Sequence, residues 1–247
     1  MVKVKKYVSS LFKKREVNIL DLKFAYHLPE VPFWNRIYKG ELRSPVTFVV
    51  SVVILLQLFL PQSLALSHQK YIVYSELSTT ILLFALNPGR IKSHKRNRFI
   101  LSIFLNLLLT TVNISLTINL IDALMIGRVD NANSLLVYSG IIWFSNVVIF
   151  SLWYWEFDRG GPGARAQGVD PYPDFLFPQL TDEKYAKLGW SPNYFDYLYT
   201  SFTNSIAFSP TDTLPLSRWA KLLMMVQSMI SSIVVLLAIS RAINIMN

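Results

Sequence analysis

The chain contains no cysteine and little charge. Cysteine is absent from all 247 residues, which excludes disulfide bonds, thiolate metal sites and a thiol nucleophile. Only 16% of the residues are charged, whereas 52% are hydrophobic and 14% are aromatic. This composition is too apolar for an ordinary soluble domain and is typical of a protein with several membrane spans.

Long apolar runs account for most of the sequence. They occur at roughly 45–67, 71–87, 99–126, 134–156 and 215–246. Four of them have the roughly 18 to 25 residues that cross a hydrocarbon core about 30 Å thick, and 71–87 is slightly short. The first twenty residues lack an apolar core with a cleavage site, so no removable signal peptide is evident. The sequence therefore predicts an all-α membrane protein with about five transmembrane helices.

The positive charge is concentrated in two places. The formal net charge is +9, and fifteen of the 24 Lys and Arg residues lie either in residues 1–44 or in one short cluster, Arg90, Lys92, Lys95, Arg96 and Arg98. Basic segments beside apolar runs follow the positive-inside rule and attract anionic lipids. We therefore expect a multi-pass protein of the cell membrane with a cytoplasmic N-terminus, whose partner is the lipid bilayer and not nucleic acid.

Residues 1–44 form the first of four predicted regions. Within 3–15, apolar residues recur at helical spacing with lysines on the other face, as in a helix that lies in the membrane interface. A solvated basic tail is the alternative. The next region, 45–157, holds four predicted transmembrane helices.

A polar stripe runs along the third apolar run. It consists of Ser102, Asn106, Thr110, Asn113 and Thr117, at offsets of four, four, three and four residues. This spacing puts all five side chains on one helix face. Such a face must meet protein or water, because an amide without a partner in hydrocarbon costs several kcal/mol. The stripe is either a wall of a polar path or a set of interhelical hydrogen bonds, of which we favour the second.

Residues 158–190 are predicted to be a polar loop rich in glycine and proline, and not a second domain. The stretch "RGGPG" lacks the Lys and the following helix of a phosphate-binding P-loop. The fourth region, 191–247, begins with Ser191 and Pro192, which are typical of a helix start. The next 14 residues or so, "NYFDYLYTSFTNSI", are too few to cross a bilayer. A polar turn and a full-length apolar run follow, so we expect a re-entrant half helix, a loop and then the last helix.

This order resembles the pore module of the potassium-channel superfamily. A common bacterial form of that module runs Y-F-S-F-x-T-L-T-T-x-G-Y-G-D-x-x-P-x-x-x-x-A-R/K. The residues that match it are Tyr199, Ser201, Phe202, Asp212, Pro215, Ala220 and Lys221. The whole chain also resembles a group of uncharacterised bacterial multispan membrane proteins that share "WYWE", "DRGGP", "YPDFLFPQ" and "FTNxxAFSPTDT".

The filter of the potassium-channel pattern is altered in this chain. Its Thr-Val-Gly-Tyr-Gly positions hold Ala207, Phe208, Ser209, Pro210 and Thr211. Neither glycine position holds glycine, and Pro210 restricts both itself and the residue before it. These departures argue against a potassium-selective ladder of carbonyl groups.

The resemblance implies a homo-oligomer, with a tetramer favoured, around a shared pore. In it, hydroxyl groups of Ser209, Thr211 and Thr213 and a ring of Asp212 carboxylates would line a wider constriction that favours cations. Gln227 and Ser231 would line the inner helix. The alternative is a structural loop, because Ser, Thr and Asp are common turn and cap formers.

The two basic clusters also predict how the loop is oriented. With both clusters in the cytoplasm and four spans before residue 157, the loop enters from the cytoplasmic side. This is opposite to potassium channels and resembles the inverted pore of glutamate receptor channels. The alternative is that 71–87 does not cross the membrane.

We therefore expect a channel-like protein that conducts inorganic cations without strict potassium selectivity. The alternative is a non-conducting structural or partner-binding protein derived from a pore fold. No enzymatic activity is expected, since the sequence shows no nucleophile with a base and no His-x-x-x-His motif. His27, His68 and His94 are isolated, and no metal or cofactor site is predicted.

Overall fold

The chain folds mostly into helices. The structure is a computed structural model that describes residues 37–61, 64–66, 68–126, 131–170, 172–186, 190–207 and 212–246. The helices in this part of the chain are α1 (Ser44–Leu56), α2 (Gln69–Leu86), α3 (Arg96–Ile126), α4 (Ala132–Phe157), α5 (Pro162–Ala166), α6 (Tyr194–Ile206) and α7 (Arg218–Met246). Two short antiparallel strand pairs join the connections: β1 (Glu41–Leu42) with β2 (Arg90–Ile91), and β3 (Phe175–Leu176) with β4 (Leu214–Pro215). The interfacial helix predicted for 3–15 lies outside the described residues.

Three of these helices, α3, α4 and α7, are long and apolar enough to cross a membrane. They identify the chain as a membrane protein, but the prediction of about five spans is not confirmed among the described residues. The run 45–67 is interrupted because Leu60 adopts an extended conformation ahead of Pro61, as residues before proline tend to do. Its helical part, Ser44–Phe59, is a shorter apolar helix. Helix α2 has 18 residues but includes Lys70 and Glu76 and is not among the three.

Side-chain caps mark the starts of two helices. The Asn131 side chain accepts hydrogen bonds from backbone N–H groups in the first turn of α4. Helix α6 begins two residues after the position that Ser191 and Pro192 predict, because Asn193 is its cap. Asn193 accepts a hydrogen bond from the N–H of Phe195, and Asp196 accepts one from the N–H of Asn193 at 2.7 Å. This reciprocal arrangement satisfies N–H groups that the helix itself leaves unpaired.

Several chain segments meet at one end of the helical bundle, which we call the connector end because residues 158–190, the connector, lie there. The Ser102 hydroxyl near the start of α3 donates a hydrogen bond to Glu156 near the end of α4, so these two helices are antiparallel. Arg43, just before α1, also contacts Ser102. The ring of Trp219, at the start of α7, lies 5.5 Å from that of Phe157.

Helix α6 extends from the connector end only partway along α4. At its start, the hydroxyl of Tyr194 lies 2.9 Å from that of Ser151. Further along, Ser201 donates a hydrogen bond to the carbonyl oxygen of Val147, so α6 is antiparallel to α4. Thirteen helical residues measure only about 20 Å. Helix α6 is therefore half the length of the other helices that pack beside it.

After α6 the chain returns to the connector end and then runs the length of the bundle. On the way back, the Oγ1 atom of Thr213 lies 3.2 Å from that of Thr200, and β4 then pairs with β3 of the connector. Helix α7 starts there and passes beside α4, where Ser231 contacts Asn146. The short helix and the long helix that the sequence predicts are both present, whereas re-entry of the segment between them into the membrane stays a prediction.

The core consists of two apolar clusters. One lies toward the connector end and includes Trp155, Phe175, Tyr197 and Ala220. The other lies toward the opposite end and includes Leu64, Leu116, Leu135, Ile142 and Val234. Buried residues of the connector belong to the first cluster, so this segment is packed against the helices.

Candidate functional site

The return segment, residues 207–213, is the site that the sequence predicts. Ala207 follows the last residue of α6, is exposed, and donates its backbone N–H to the carbonyl oxygen of Thr203 at 2.8 Å. Phe208, Ser209, Pro210 and Thr211 lie outside the described residues. Asp212 is exposed, whereas Thr213 is buried against Thr200. The structure thus places the Asp212 carboxylate at the surface and the Thr213 hydroxyl inside.

Asp174 of the connector holds the segment that leads from the return into α7. Its carbonyl oxygen accepts a hydrogen bond from the N–H of Leu216, and its Oδ1 accepts one from the indole N–H of Trp219, both at 2.8 Å. The N–H of Asp174 in turn donates to Oδ1 of Asp158 at 2.8 Å. The position of the return segment therefore depends on the connector.

Asp158 is a buried carboxylate that joins α4, α6 and the connector. Its Oδ1 also accepts a hydrogen bond from the N–H of Phe175, and its Oδ2 accepts one from the hydroxyl of Tyr197 at 2.6 Å. The Nε atom of Arg159 lies 3.5 Å from Oδ2. These contacts compensate the cost of burying the charge.

Arg165 is a buried cation next to Asp158 and Tyr197. Its Nη2 lies 2.8 Å from Oε1 of Glu41, and its Nη1 donates to the carbonyl oxygens of Trp155 and Asp158. The guanidinium also lies 5.0 Å from the centre of the Tyr197 ring. Burial alone would lower the pKa of Arg165, but the Glu41 carboxylate, together with Tyr197, Tyr38 and Asp158, outweighs this effect and raises that pKa well above its usual value. Arg165 therefore stays charged and fixes the connector to β1.

Gln227 of α7 is the centre of a buried polar group between α4, α6 and α7. Its Oε1 accepts hydrogen bonds from the Tyr154 hydroxyl and from the amide of Asn204. Its Nε2 lies 2.6 Å from the hydroxyl of Ser201 and 2.7 Å from that of Ser205. We call these five residues the Gln227 cluster. The cluster holds the half helix α6 in register with both long helices.

Ser231 lies one turn further along α7. Its hydroxyl accepts a hydrogen bond from Nδ2 of Asn146 at 3.1 Å. Gln227 and Ser231 are both buried within one chain. A role for these two residues as the lining of a shared pore stays a prediction.

The polar stripe on α3 faces the interior of the bundle, and it does make an interhelical hydrogen bond. The indole N–H of Trp153 donates to the Thr110 hydroxyl at 2.9 Å. Thr117 donates to the carbonyl oxygen of Asn113 in its own helix. Nδ2 of Asn106 and Oδ1 of Asn113 are buried and have no hydrogen-bond partner in the part of the chain that the structure describes.

Sequence reasoning did not identify the buried charges Glu41, Asp158 and Arg165. The sequence predicts only a polar loop rich in glycine and proline for 158–190, and this prediction does not mark Asp158 and Arg165 as buried. One signal was present: Arg165 lies between Ala164 and Ala166 in "GPGARA", and small residues of this kind permit close packing of the backbone.

Comparison with known proteins gives no family for the chain: no protein-family model, no curated protein and no solved structure matches it. The resemblance to the potassium-channel pore module therefore depends on the residues quoted above and stays a prediction.

Proposed function

We propose that this protein is a channel-like membrane protein that assembles around a shared axis and passes inorganic cations through a constriction formed by residues 207–213. The observation that carries the proposal is the return after α6. Because α6, at about 20 Å, is shorter than a hydrocarbon core about 30 Å thick, the connection between its end at Ile206 and Thr213 would lie at membrane depth. Such backbone is tolerated there only where it is buried in protein or lines a water-filled cavity.

Helix α7 supports assembly with further copies. Only 28% of the most apolar 18-residue stretch of α7 is buried inside the chain, against 61% for the corresponding stretch of α4. The outward face of α7 is apolar and consists of Leu222, Met225, Val226, Met229, Ile233 and Leu236. Such a face suits lipid or another copy of the chain, and a tetramer would bring four return segments together.

Asp212 supports a preference for cations. Its carboxylate is exposed next to the return, and four such carboxylates around an axis would attract cations and repel anions. The filter positions lack the glycines of a potassium ladder, so strict potassium selectivity is not part of the proposal.

The orientation of the return follows from the second basic cluster. The pairing of β1 with β2 places Arg90 next to the start of α1, which lies at the connector end. The return segment therefore enters the bundle from the same end as the basic residues. Under the positive-inside rule this end is cytoplasmic, so the pore-like loop has the inverted orientation.

Flux through reconstituted protein tests the proposal. We expect liposomes with the purified protein to release Na⁺ and K⁺, and Asp212→Asn to lower this flux several-fold because the carboxylate ring loses its charge. Asp170→Asn is the matched control, since Asp170 is also exposed but lies in the connector. Equal flux from both variants would remove Asp212 from the mechanism, and no flux from the wild-type protein would contradict conduction.

The oligomeric state is the second test. Native mass spectrometry of the protein in lipid nanodiscs is expected to give four copies per particle. A monomer under these conditions has no shared axis and would exclude the proposed pore.

A non-conducting structural protein is the second candidate, and the Gln227 cluster favours it. The polar side chains of α6 and α7 are hydrogen-bonded to one another within one chain, so they need no water-filled path for their own satisfaction. A stable, lipid-embedded protein without cation flux would support this candidate.

A further inference from the structure

A pocket lined by basic residues lies at the connector end, and we call it the basic pocket. Its lining includes Arg43, His94, Lys95, Arg98, Glu156 and Gly163, and its enclosed volume is about 30 Å³ beneath an open mouth. The pocket lies between the loop after β2 and the first turn of α5. It does not include residues of the return segment or of the Gln227 cluster.

The two chain segments that line the basic pocket, the loop after β2 and the first turn of α5, are in close backbone contact. A Cβ atom at Gly163 would lie 2.6 Å from the carbonyl oxygen of Ser93 and 2.8 Å from the backbone nitrogen of His94. Real Cβ atoms do not approach backbone this closely, so only glycine fits at this position. The loop after β2 is thus packed onto α5, and the pocket between them is preformed.

Arg43 forms the buried part of the pocket and has donors to spare. Its side chain is 6% exposed, yet its guanidinium makes one hydrogen bond within the described residues, from Nη2 to Ser102 at 3.5 Å. An arginine carries five N–H donors, and no nitrogen of Arg43 is both buried and without a partner in the part of the chain that the structure describes, so its remaining donors are open to solvent. Burial lowers the pKa of Arg43, the Glu156 carboxylate opposes this effect, and Arg98 adds to it.

The charge of the pocket is positive. Arg43, Lys95 and Arg98 contribute three cations, and Glu156 is the one carboxylate in the described lining. Glu156 accepts a hydrogen bond from Ser102, which is also the partner of Arg43. An anion between Arg43 and Arg98 would accept the unused N–H donors and reduce the repulsion between these two cations.

We propose that the basic pocket binds a phosphate-bearing anion, with Arg43 as the buried donor and with Lys95 and Arg98 at the mouth. The pocket lies where α3 begins and α4 ends, the level at which lipid headgroups meet a membrane protein. The phosphate group belongs either to an anionic phospholipid or to a soluble phosphate compound. This inference does not depend on cation conduction.

Two double variants of the basic segment 90–98 distinguish a pocket from diffuse attraction. Lys95→Gln with Arg98→Gln removes two cations that line the pocket. The control, Lys92→Gln with Arg96→Gln, removes two exposed cations of the same segment that do not line it. Both pairs change the net charge equally, and neither touches buried Arg43.

Binding of phosphatidylglycerol, with phosphatidylcholine as the neutral comparison, is measured as bound lipid in native mass spectra of the detergent-solubilised protein. We expect the pocket pair to weaken phosphatidylglycerol binding roughly 10- to 30-fold, and the control pair to change it by less than about threefold. Equal losses for both pairs would show diffuse attraction and overturn the proposal. Unchanged binding for the pocket pair would also overturn it.

A second arm distinguishes the source of the phosphate. Inorganic phosphate is titrated at constant ionic strength against chloride, and the melting temperature is recorded. A rise that the pocket pair abolishes and the control pair keeps would assign the site to soluble phosphates, whereas lipid binding without such a rise would assign it to headgroups. If the pocket pair also lowers the melting temperature without ligand, Lys95→Gln alone, at an exposed residue, repeats both arms. Absence of both effects contradicts the proposal.

Discussion

Gln227 and Glu76 are both completely buried polar side chains, yet their surroundings differ. Gln227, in the half of the bundle formed by α4, α6 and α7, uses both its oxygen and its nitrogen in hydrogen bonds. Neither carboxylate oxygen of Glu76, in the half formed by α1, α2 and α3, makes a hydrogen bond of normal geometry among the described residues, although the Gln57 side chain is close enough to interact with it. The Oε1 atom of Gln57 in the same half is also unpartnered there.

The chain thus contains two kinds of buried polar side chain: those whose hydrogen bonds are satisfied and those whose hydrogen bonds are not. Satisfied groups fix the packing, because any displacement leaves donors or acceptors unpaired in an apolar medium. Unsatisfied groups add no such restraint and raise the free energy of the packed state. The hydrogen bonds of the Gln227 cluster therefore restrain how α6 packs against α4 and α7, whereas Glu76 gives α2 no such restraint.

The largest effect is expected for Arg165→Met, which tests a buried charge whose partner is present. The change leaves the buried Glu41 carboxylate without its cation, so we expect the free energy of unfolding to fall by about 3 to 5 kcal/mol. Chemical unfolding in detergent micelles measures this. Arg218→Met, at an exposed residue, is the control and is expected to change it by less than about 0.5 kcal/mol. Similar small losses for both would mean that the ion pair does not fix the connector.

Gln227→Leu is expected to have the next largest effect. It removes the shared partner of Tyr154, Asn204 and Ser201, and the free energy of unfolding should fall by about 2 kcal/mol. The same unfolding assay applies, with Met225→Leu on the outward face of α7 as the control. A loss no greater than that of the control would show that water replaces the side chain, which would favour a hydrated path beside α6.

Glu76→Leu is expected to act in the opposite direction with the smallest effect. Replacing this buried carboxylate, which makes no hydrogen bond of normal geometry among the described residues, with an apolar side chain should raise the free energy of unfolding by about 1 kcal/mol. Ser78→Leu, on the exposed face of the same helix, controls for added hydrophobicity. Destabilisation by Glu76→Leu would instead mean that the carboxylate has a partner in the membrane, and the contrast with Gln227 would then disappear.

The helical fold and the half-length helix could be predicted from the sequence, because run length and periodicity are local properties. The number of spans could not be predicted as reliably. The apolar run 45–67 reads as continuous by composition, but Pro61 ends the helical part of it. Polar residues in 71–87 reduce its apolar character without changing its helicity.

The candidate site was predictable only in part. Thr213 and Gln227 are proposed from the resemblance to the pore module, and their role in a pore stays a prediction. The pairing of Arg165 with Glu41 joins residues 124 positions apart, and no local pattern specifies such a distant partner. Burial of charge depends on the whole packing arrangement, which is why "DRGGPGARA" predicts a polar loop but not the burial of its charges.

The short ladder between β3 and β4 has a mechanical consequence. Leu176 pairs with Leu214, and Phe175 pairs with Pro215, so the strand that leaves the return segment is tied to the connector by main-chain hydrogen bonds. A displacement of Thr213 away from the half helix must therefore either break this ladder or carry the connector with it. A molecule that binds the connector would then change the free energy that a conformational change of the return segment requires.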